Sequence, residues 1–257
     1  DRGVTVVKLA GLWSTWAIIA CLYCLCRWYW DGQYVFSIQV LAYAAIPLVV
    51  LSLPYMFWID GALVKQRDHT WHFGALLLMR PDWNAEEIKK HWRAWIIKAF
   101  FTAFMISIIP FAFRTVVTAD IAEVMARPER VVLTAIEAMF MIDVMIGTVG
   151  YIVTMRPLDA HIRSGNPLLA GWVAALICYP PLVWGILGDG RAINYEQNAA
   201  GWLHWLAGHD TLIAVWGGVL VLLTGIYAWA TFAFGLRFSN LTYRGVLTNG
   251  PYRFTRH

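Results

Sequence analysis

Charged side chains are scarce in this chain: Asp, Glu, Lys and Arg make up 14% of it, against about a quarter in ordinary soluble domains. The net charge of +4 is dispersed, and the absence of any Lys/Arg block argues against a nucleic-acid partner. Cysteine is rare as well. Cys21, Cys24, Cys26 and Cys178 all lie in apolar runs. The Cys21-x-x-Cys24 pair lacks the polar surroundings and further ligands that a zinc or redox site needs. These residues are read as small apolar members of a helical bundle, and no metal site is expected. Gly188-Asp-Gly190 is the lone G-x-G. It follows an apolar helix rather than a strand, so it is no dinucleotide fingerprint. Internal repeats and low-complexity stretches are missing. The first apolar run is too long, and too poor in small residues at its end, for a cleavable signal peptide. The chain opens at Asp1 rather than at a methionine and stops at His257 inside a motif; it is read as trimmed at both ends.

Apolar residues are what the chain has in excess. They make up 60% of it, and they fall in runs of about 18–25, enough to cross a hydrocarbon core of about 30 Å. The fifteen tryptophans suit residues that prefer the water–lipid boundary. The expected spans are Leu9–Cys26, Phe36–Ile59, Ala94–Phe113, Val131–Met155, Leu168–Leu187 and Thr211–Phe234. Pro47, Pro54, Pro110, Pro180 and Pro181 fall inside them and are expected to kink their helices. The fold class is all-α: a polytopic membrane bundle of about six transmembrane helices.

Loop charges orient the bundle. One set of connecting segments holds Arg2, Lys8, Lys65, Arg67, Arg80, Lys89, Lys90, Arg93, Arg156, Arg163, Arg237, Arg244, Arg253 and Arg256; the other holds Arg27, Arg114, Arg127, Arg130 and Arg191. Fourteen against five places both termini in the cytoplasm by the positive-inside rule, which an even number of spans also requires. In domain terms, 1–234 is the bundle and 235–257 a cytoplasmic segment. Within the cytoplasmic loop 61–93, Asn84 and Glu87 resemble a capping box, starting a helix that runs into the third span. In the outer loop 188–210, Trp202, Leu203, Trp205 and Leu206 predict a short interfacial helix.

Several polar residues are candidates for chemistry. Asp143 lies about twelve residues into the fourth span, near the midplane, where an ionised carboxylate costs several kcal/mol unless paired or wet. Its two readings are a substrate or proton site and a hydrogen-bonded structural residue, with Gly147 and Gly150 on its face admitting a close neighbour. Glu137 is nearer the outer end and can snorkel. His204, His209 and Asp210 cluster on the outer loop and read as polar punctuation. The stretch 156–167 is dense in polar groups; Asp159 and Arg163 are positioned to pair, and His161 has the side chain that titrates near neutrality. The alternative for that stretch is a tight loop tying two helices together.

The tail from Arg237 to His257 carries four arginines, two tyrosines and a histidine around the turn signal Asn249-Gly-Pro251. Such a set suits an anionic headgroup or a carboxylate-bearing ligand. Thr248, Gly250, Pro251, Tyr252, Arg253, Arg256 and His257 form T-x-G-P-Y-R-x-x-R-H. This resembles the signature opening the cofactor region of the isoprenylcysteine carboxyl methyltransferase family and the related integral-membrane phospholipid methyltransferases. Ser239-Asn-Leu-Thr-Tyr-Arg-Gly245 is similar to bacterial members. In those families the signature continues with Pro and Tyr, a helical hairpin and an acidic, aromatic end, all of which would lie beyond His257. The match covers ten of 257 residues.

The resemblance implies S-adenosylmethionine as cofactor, Gly250, Pro251, Tyr252, Arg253, Arg256 and His257 as its binding residues, and a lipid-like methyl acceptor in a bacterial cytoplasmic membrane. It names no catalytic residue. Arg253 and Arg256 suit a carboxylate, and Gly250-Pro251 lets the backbone come close; the role of His257 rests on the family alone. The rival reading is a non-catalytic subunit packed among other membrane subunits. A transporter built around Asp143 is a third, weakened by the lack of an inverted repeat. The topology makes a direct prediction. A cysteine introduced at position 195 is labelled from outside and one at 66 from inside; labelling of both from one side refutes the orientation.

Overall fold

The computed structural model describes residues 2–26, 34–179, 182–188, 190–194 and 200–255. Its helices are α1 (Arg2–Leu25), α2 (Val35–Ala62), α3 (His69–Leu77), α4 (Ala85–Val117), α5 (Ile121–Met125), α6 (Pro128–Ile152), α7 (Leu169–Leu176), α8 (Leu182–Ile186), α9 (Trp202–Trp205) and α10 (Asp210–Phe234). Five segments built on α1, α2, α4, α6 and α10 are long and apolar enough to cross a membrane, and the protein is an all-α membrane bundle. Their outward faces carry bare large apolar side chains such as Tyr43, Ile46, Phe111, Leu222 and Trp229, a surface that water tolerates poorly and acyl chains accept. The four cysteines lie on such exposed surface rather than packed inside.

Start signals act as their chemistry requires. Asn84 accepts the amides of Glu86 and Glu87, at 2.9 and 3.2 Å, and α4 then runs unbroken into the third expected span. Glu87 turns to Lys90 at 2.7 Å. Asp68 caps α3, a helix that loop composition alone did not predict, and Asp120 caps α5. α2 continues through Pro47 and Pro54, and α4 through Pro110. The fifth expected span is not one helix: α7 ends at Leu176 and α8 begins at Leu182. Two successive prolines, each lacking an amide donor, lie between them; Pro180 and Pro181 themselves are outside the described residues. The segment expected to form a short interfacial helix contains α9, with Trp205 exposed.

The chain divides into two compact units, Asp1–Ser107 with Ser164–Pro167, and Ile108–Arg163 with Leu168–His257. In the first, α1 and α2 are antiparallel: Lys8 meets Asp60, and Trp13 Nε1 donates to Ser52 Oγ at 2.9 Å. α1 and α4 run parallel, with Thr15 on His91 and the Tyr23 hydroxyl on the Ala99 carbonyl, 2.6 Å. α3 lies on α1 with almost no side chain between them. A Cβ on Gly11 would sit 2.4 Å from the Thr70 carbonyl oxygen, and one on Gly74 would sit 1.9 Å from that of Val7. Val4, Val7, Trp71 and Ala75 close around this contact.

In the second unit α6 and α10 are parallel. Val132 packs on Gly217, Asp143 meets Tyr227 and Thr231, and Gly150 meets Phe238. Parallel neighbours joined by 153–209 oblige that stretch to carry the chain back to its starting end, the return expected of the fifth span. This compact unit takes in α10 together with residues 235–257.

Gly74→Ala forces α1 and α3 apart, because the obstructing atom is backbone that cannot rotate away. The expected cost is about 1–3 kcal/mol or more, seen as a lowered melting temperature in detergent. Gly61→Ala, with nothing within 4 Å of its would-be Cβ, should leave the melt unchanged or raise it.

Candidate functional site

Asp143 is buried within its helix pair, on the face that also carries buried Gly147 and Gly150. The Tyr227 hydroxyl donates to Oδ2 at 3.1 Å and the Thr231 hydroxyl to Oδ1. Tyr227 and Thr231 are four residues apart, so one face of α10 presents both donors. The carboxyl group is shielded from lipid and served by another helix, as its cost in hydrocarbon demands. Glu137 is exposed, and so are His209 and Asp210.

The polar stretch after α6 folds against the tail. Arg163 Nη2 reaches Asp159 Oδ1 at 3.1 Å, and Arg237 Nη2 takes the other carboxylate oxygen. The hydrogen bond from Arg163, with the Arg237 charge, holds the exposed Asp159 carboxyl below its ordinary value against its slight desolvation. The Arg163 amide donates to the Tyr243 carbonyl at 2.9 Å. Burial, then the charges of Arg156 and Arg163, push His161 below the usual imidazole value, so it is neutral at pH 7.

Further along, the Asn240 amide donates to the Tyr151 hydroxyl at 2.7 Å, and its side-chain Nδ2 to the Tyr179 hydroxyl at 2.9 Å. Arg244 is 3% exposed, and its Nη1 donates to the carbonyls of Gly150 (2.7 Å) and Leu236 (2.8 Å). Burial pushes its guanidinium down to about 10, with Tyr151 opposing, which leaves it cationic at neutral pH. Asp159 and Leu241 both have left-handed backbone, φ +47° and +57°, a conformation that is costlier for leucine than for aspartate.

The family-like motif begins as a tight 3-10 turn, Gly250–Arg253. Gly250 has φ +58°, and a Cβ there would fall 2.7 Å from the Ala233 Cβ, with Trp229 Nε1 at 3.6 Å. Only glycine satisfies both the conformation and the contact with α10. Pro251 is buried, Tyr252 packs edge-on to Phe234 with centroids 5.0 Å apart, and Arg253 is exposed. Arg256 and His257 lie outside the described residues. Gly188 and Gly190 have positive φ, and Asp189 between them is likewise outside.

A second polar centre, unpredicted from sequence, lies in the first unit. Lys8, 2% exposed, sits 2.5 Å from Asp60 Oδ1 and 3.0 Å from Asp68 Oδ2. Burial alone would raise the Asp68 carboxyl. The charges of Lys8 and His69, with hydrogen bonds from Lys8 and the Trp71 amide, hold it below its ordinary value. Beside it, His69 Nδ1 and His91 Nδ1 are 3.1 Å apart. The Thr15 hydroxyl donates to the Gly11 carbonyl and therefore accepts from His91 Nε2, 2.7 Å away. That fixes the proton on His91 Nε2, leaves its Nδ1 as acceptor, and makes His69 the donor.

No family model matches the chain, and neither a curated protein nor a solved structure matches it.

Lys8→Met leaves buried Asp60 and partly buried Asp68 without their cation. The expected loss is about 3–5 kcal/mol, read by denaturant unfolding in detergent micelles. Asp60→Asn, which keeps a hydrogen-bond acceptor for Lys8, should cost clearly less; equal losses would refute the charge-compensation account.

Proposed function

We propose that this protein is an S-adenosylmethionine-dependent methyltransferase of a bacterial cytoplasmic membrane, acting on a lipid or other lipid-like acceptor. The observation that carries the reading is the Gly250–Arg253 turn, whose glycine is required by both backbone and packing and which opens the T-x-G-P-Y-R-x-x-R-H signature. The residues present suit the group. Gly250 and buried Pro251 seat the turn against α10, Tyr252 offers an aromatic ring, and Arg253 and Arg256 offer guanidinium forks to a carboxylate. His257 joins this set by resemblance. When bound, the cofactor supplies an electrophilic methyl group on a sulfonium. For a methyl transfer of that kind, positioning of donor and acceptor by this chain's residues would supply much of the acceleration. The contribution assigned to this chain's residues is to bind and orient at the cytoplasmic interface, where a water-soluble donor and a membrane-embedded acceptor can meet.

Calorimetry on the full-length protein tests this. Saturable binding of S-adenosylmethionine is expected, weakened about ten- to hundredfold by Arg256→Ala, the equivalent of one charge-assisted contact of about 1.5–3 kcal/mol. Arg256→Lys should restore binding only in part, lacking the bidentate fork. A folded full-length protein that shows no saturable binding at millimolar cofactor would discard the enzyme and favour a non-catalytic membrane subunit.

A further inference from the structure

Arg244 offers a guanidinium with only part of its donor set engaged. A guanidinium has five N–H donors. Nη1 spends both of its own on the carbonyls of Gly150 and Leu236, at 2.7 and 2.8 Å. Those two contacts pin the guanidinium plane to the ends of two helical segments. Nε and Nη2 are buried and make no hydrogen bond with the protein. They form one edge of the guanidinium, the side-on pair of parallel N–H vectors that matches two oxygens of a carboxylate or phosphate. Leaving such donors unmet in a buried place costs as much as a lost hydrogen bond each, and more because the group is charged.

The surroundings point to the same ligand chemistry. In the same loop as Asp159, the buried Nδ1 of His161 makes no hydrogen bond either. The Arg163 guanidinium lies 3.4 Å from where a Cβ on Gly245, the next residue, would stand; glycine at φ +111° makes the room. The nearby anion is Asp159, with its two oxygens already held by Arg163 and Arg237 and its Oδ1 4.0 Å from His161 Nδ1. It cannot serve Arg244 as well without giving up those pairs. The cluster therefore keeps an excess of positive charge at the end of α6.

We propose that the Nε–Nη2 edge of Arg244 is an oxyanion-binding site that takes the carboxylate or phosphate group of a ligand in two-point fashion. The ligand is either a soluble anion or the headgroup of an anionic lipid. The site does not depend on the chain being a methyltransferase.

The test uses the full-length protein in an uncharged detergent, with thermal stability followed at constant ionic strength. One arm titrates sodium phosphate or acetate against chloride; the other adds phosphatidylglycerol against phosphatidylcholine. A saturable stabilisation in the first arm identifies a soluble oxyanion, and in the second alone a lipid headgroup; either supports the site. Arg244→Lys keeps a cation for the two carbonyls but loses the fork, and should weaken the response about tenfold. No saturable response in either arm overturns the proposal, as does an undiminished response in a folded Arg244→Lys protein. Should that variant fail to fold, Arg244→Gln, whose side-chain amide still donates to a carbonyl but has no fork, carries the comparison. A several-fold weaker response is then expected, and an unchanged midpoint overturns the proposal.

Discussion

In hydrocarbon, a polar group has no water to fall back on, and every other feature of these two units answers to that constraint. It selects helices for the backbone, and it dictates which helices pair. Asp143 meets it with two hydroxyl donors on successive turns of α10. Lys8 meets it with two carboxylates, one ending α2 and one capping α3. The first solution carries no countercharge and works through hydrogen bonds alone. The second places an ion pair in a dry environment, where either partner alone is far more costly than the pair.

These contacts need helices closer than large side chains permit. The hydrophobic effect does little to hold helices together once both are in lipid, so close van der Waals packing over small residues takes its place. Gly11 and Gly74 let α3 lie directly on the backbone of α1, and Gly217 receives Val132 on the face that also brings Asp143 to α10. Close approach comes first in this logic, since hydrogen bonds of 2.5–3.1 Å between Asp143 and α10 tolerate little slack. Interhelical bonds such as Tyr23 to the Ala99 carbonyl and Ser37 to that of Ala103 then fix the register of α4.

Much of this was legible in the sequence because lipid imposes length and charge rules on every span. Run lengths located α1, α2, α4, α6 and α10, and Asn84 announced the start of α4. The parallel packing of α6 on α10 agrees with the fourth and sixth spans expected to run in one direction. The fifth span was legible in composition but not in continuity: α7 ends at Leu176 and α8 begins at Leu182, a break that apolar content alone does not register. α3 was missed because nine residues rich in aromatics carry little periodic signal, and its stability comes from contact with Gly11 rather than from propensity. The Lys8–Asp60 pair had a usable signal. A lysine just before the first span and an aspartate just after the second must fall side by side if consecutive spans form an antiparallel hairpin. What no sequence pattern carries is the burial of Arg244, since arginine in a loop ordinarily snorkels to water.

The placement of that arginine follows from helix ends. Each helix leaves its last carbonyls without intrahelical donors and carries partial negative charge there. α6 and α10 are parallel, so their carbonyl-bearing ends lie at one end of the pair, and the segment that folds over them is rich in donors: the Asn240 amide, Arg237 and Arg244. Arg244 takes the Gly150 carbonyl near the end of α6 and the Leu236 carbonyl just beyond α10. A neutral donor would satisfy the same carbonyls. Arginine does so with one nitrogen, Nη1, while its Nε and Nη2 make no hydrogen bond inside the protein, so the residue that closes both helix ends is also one with donors to spare.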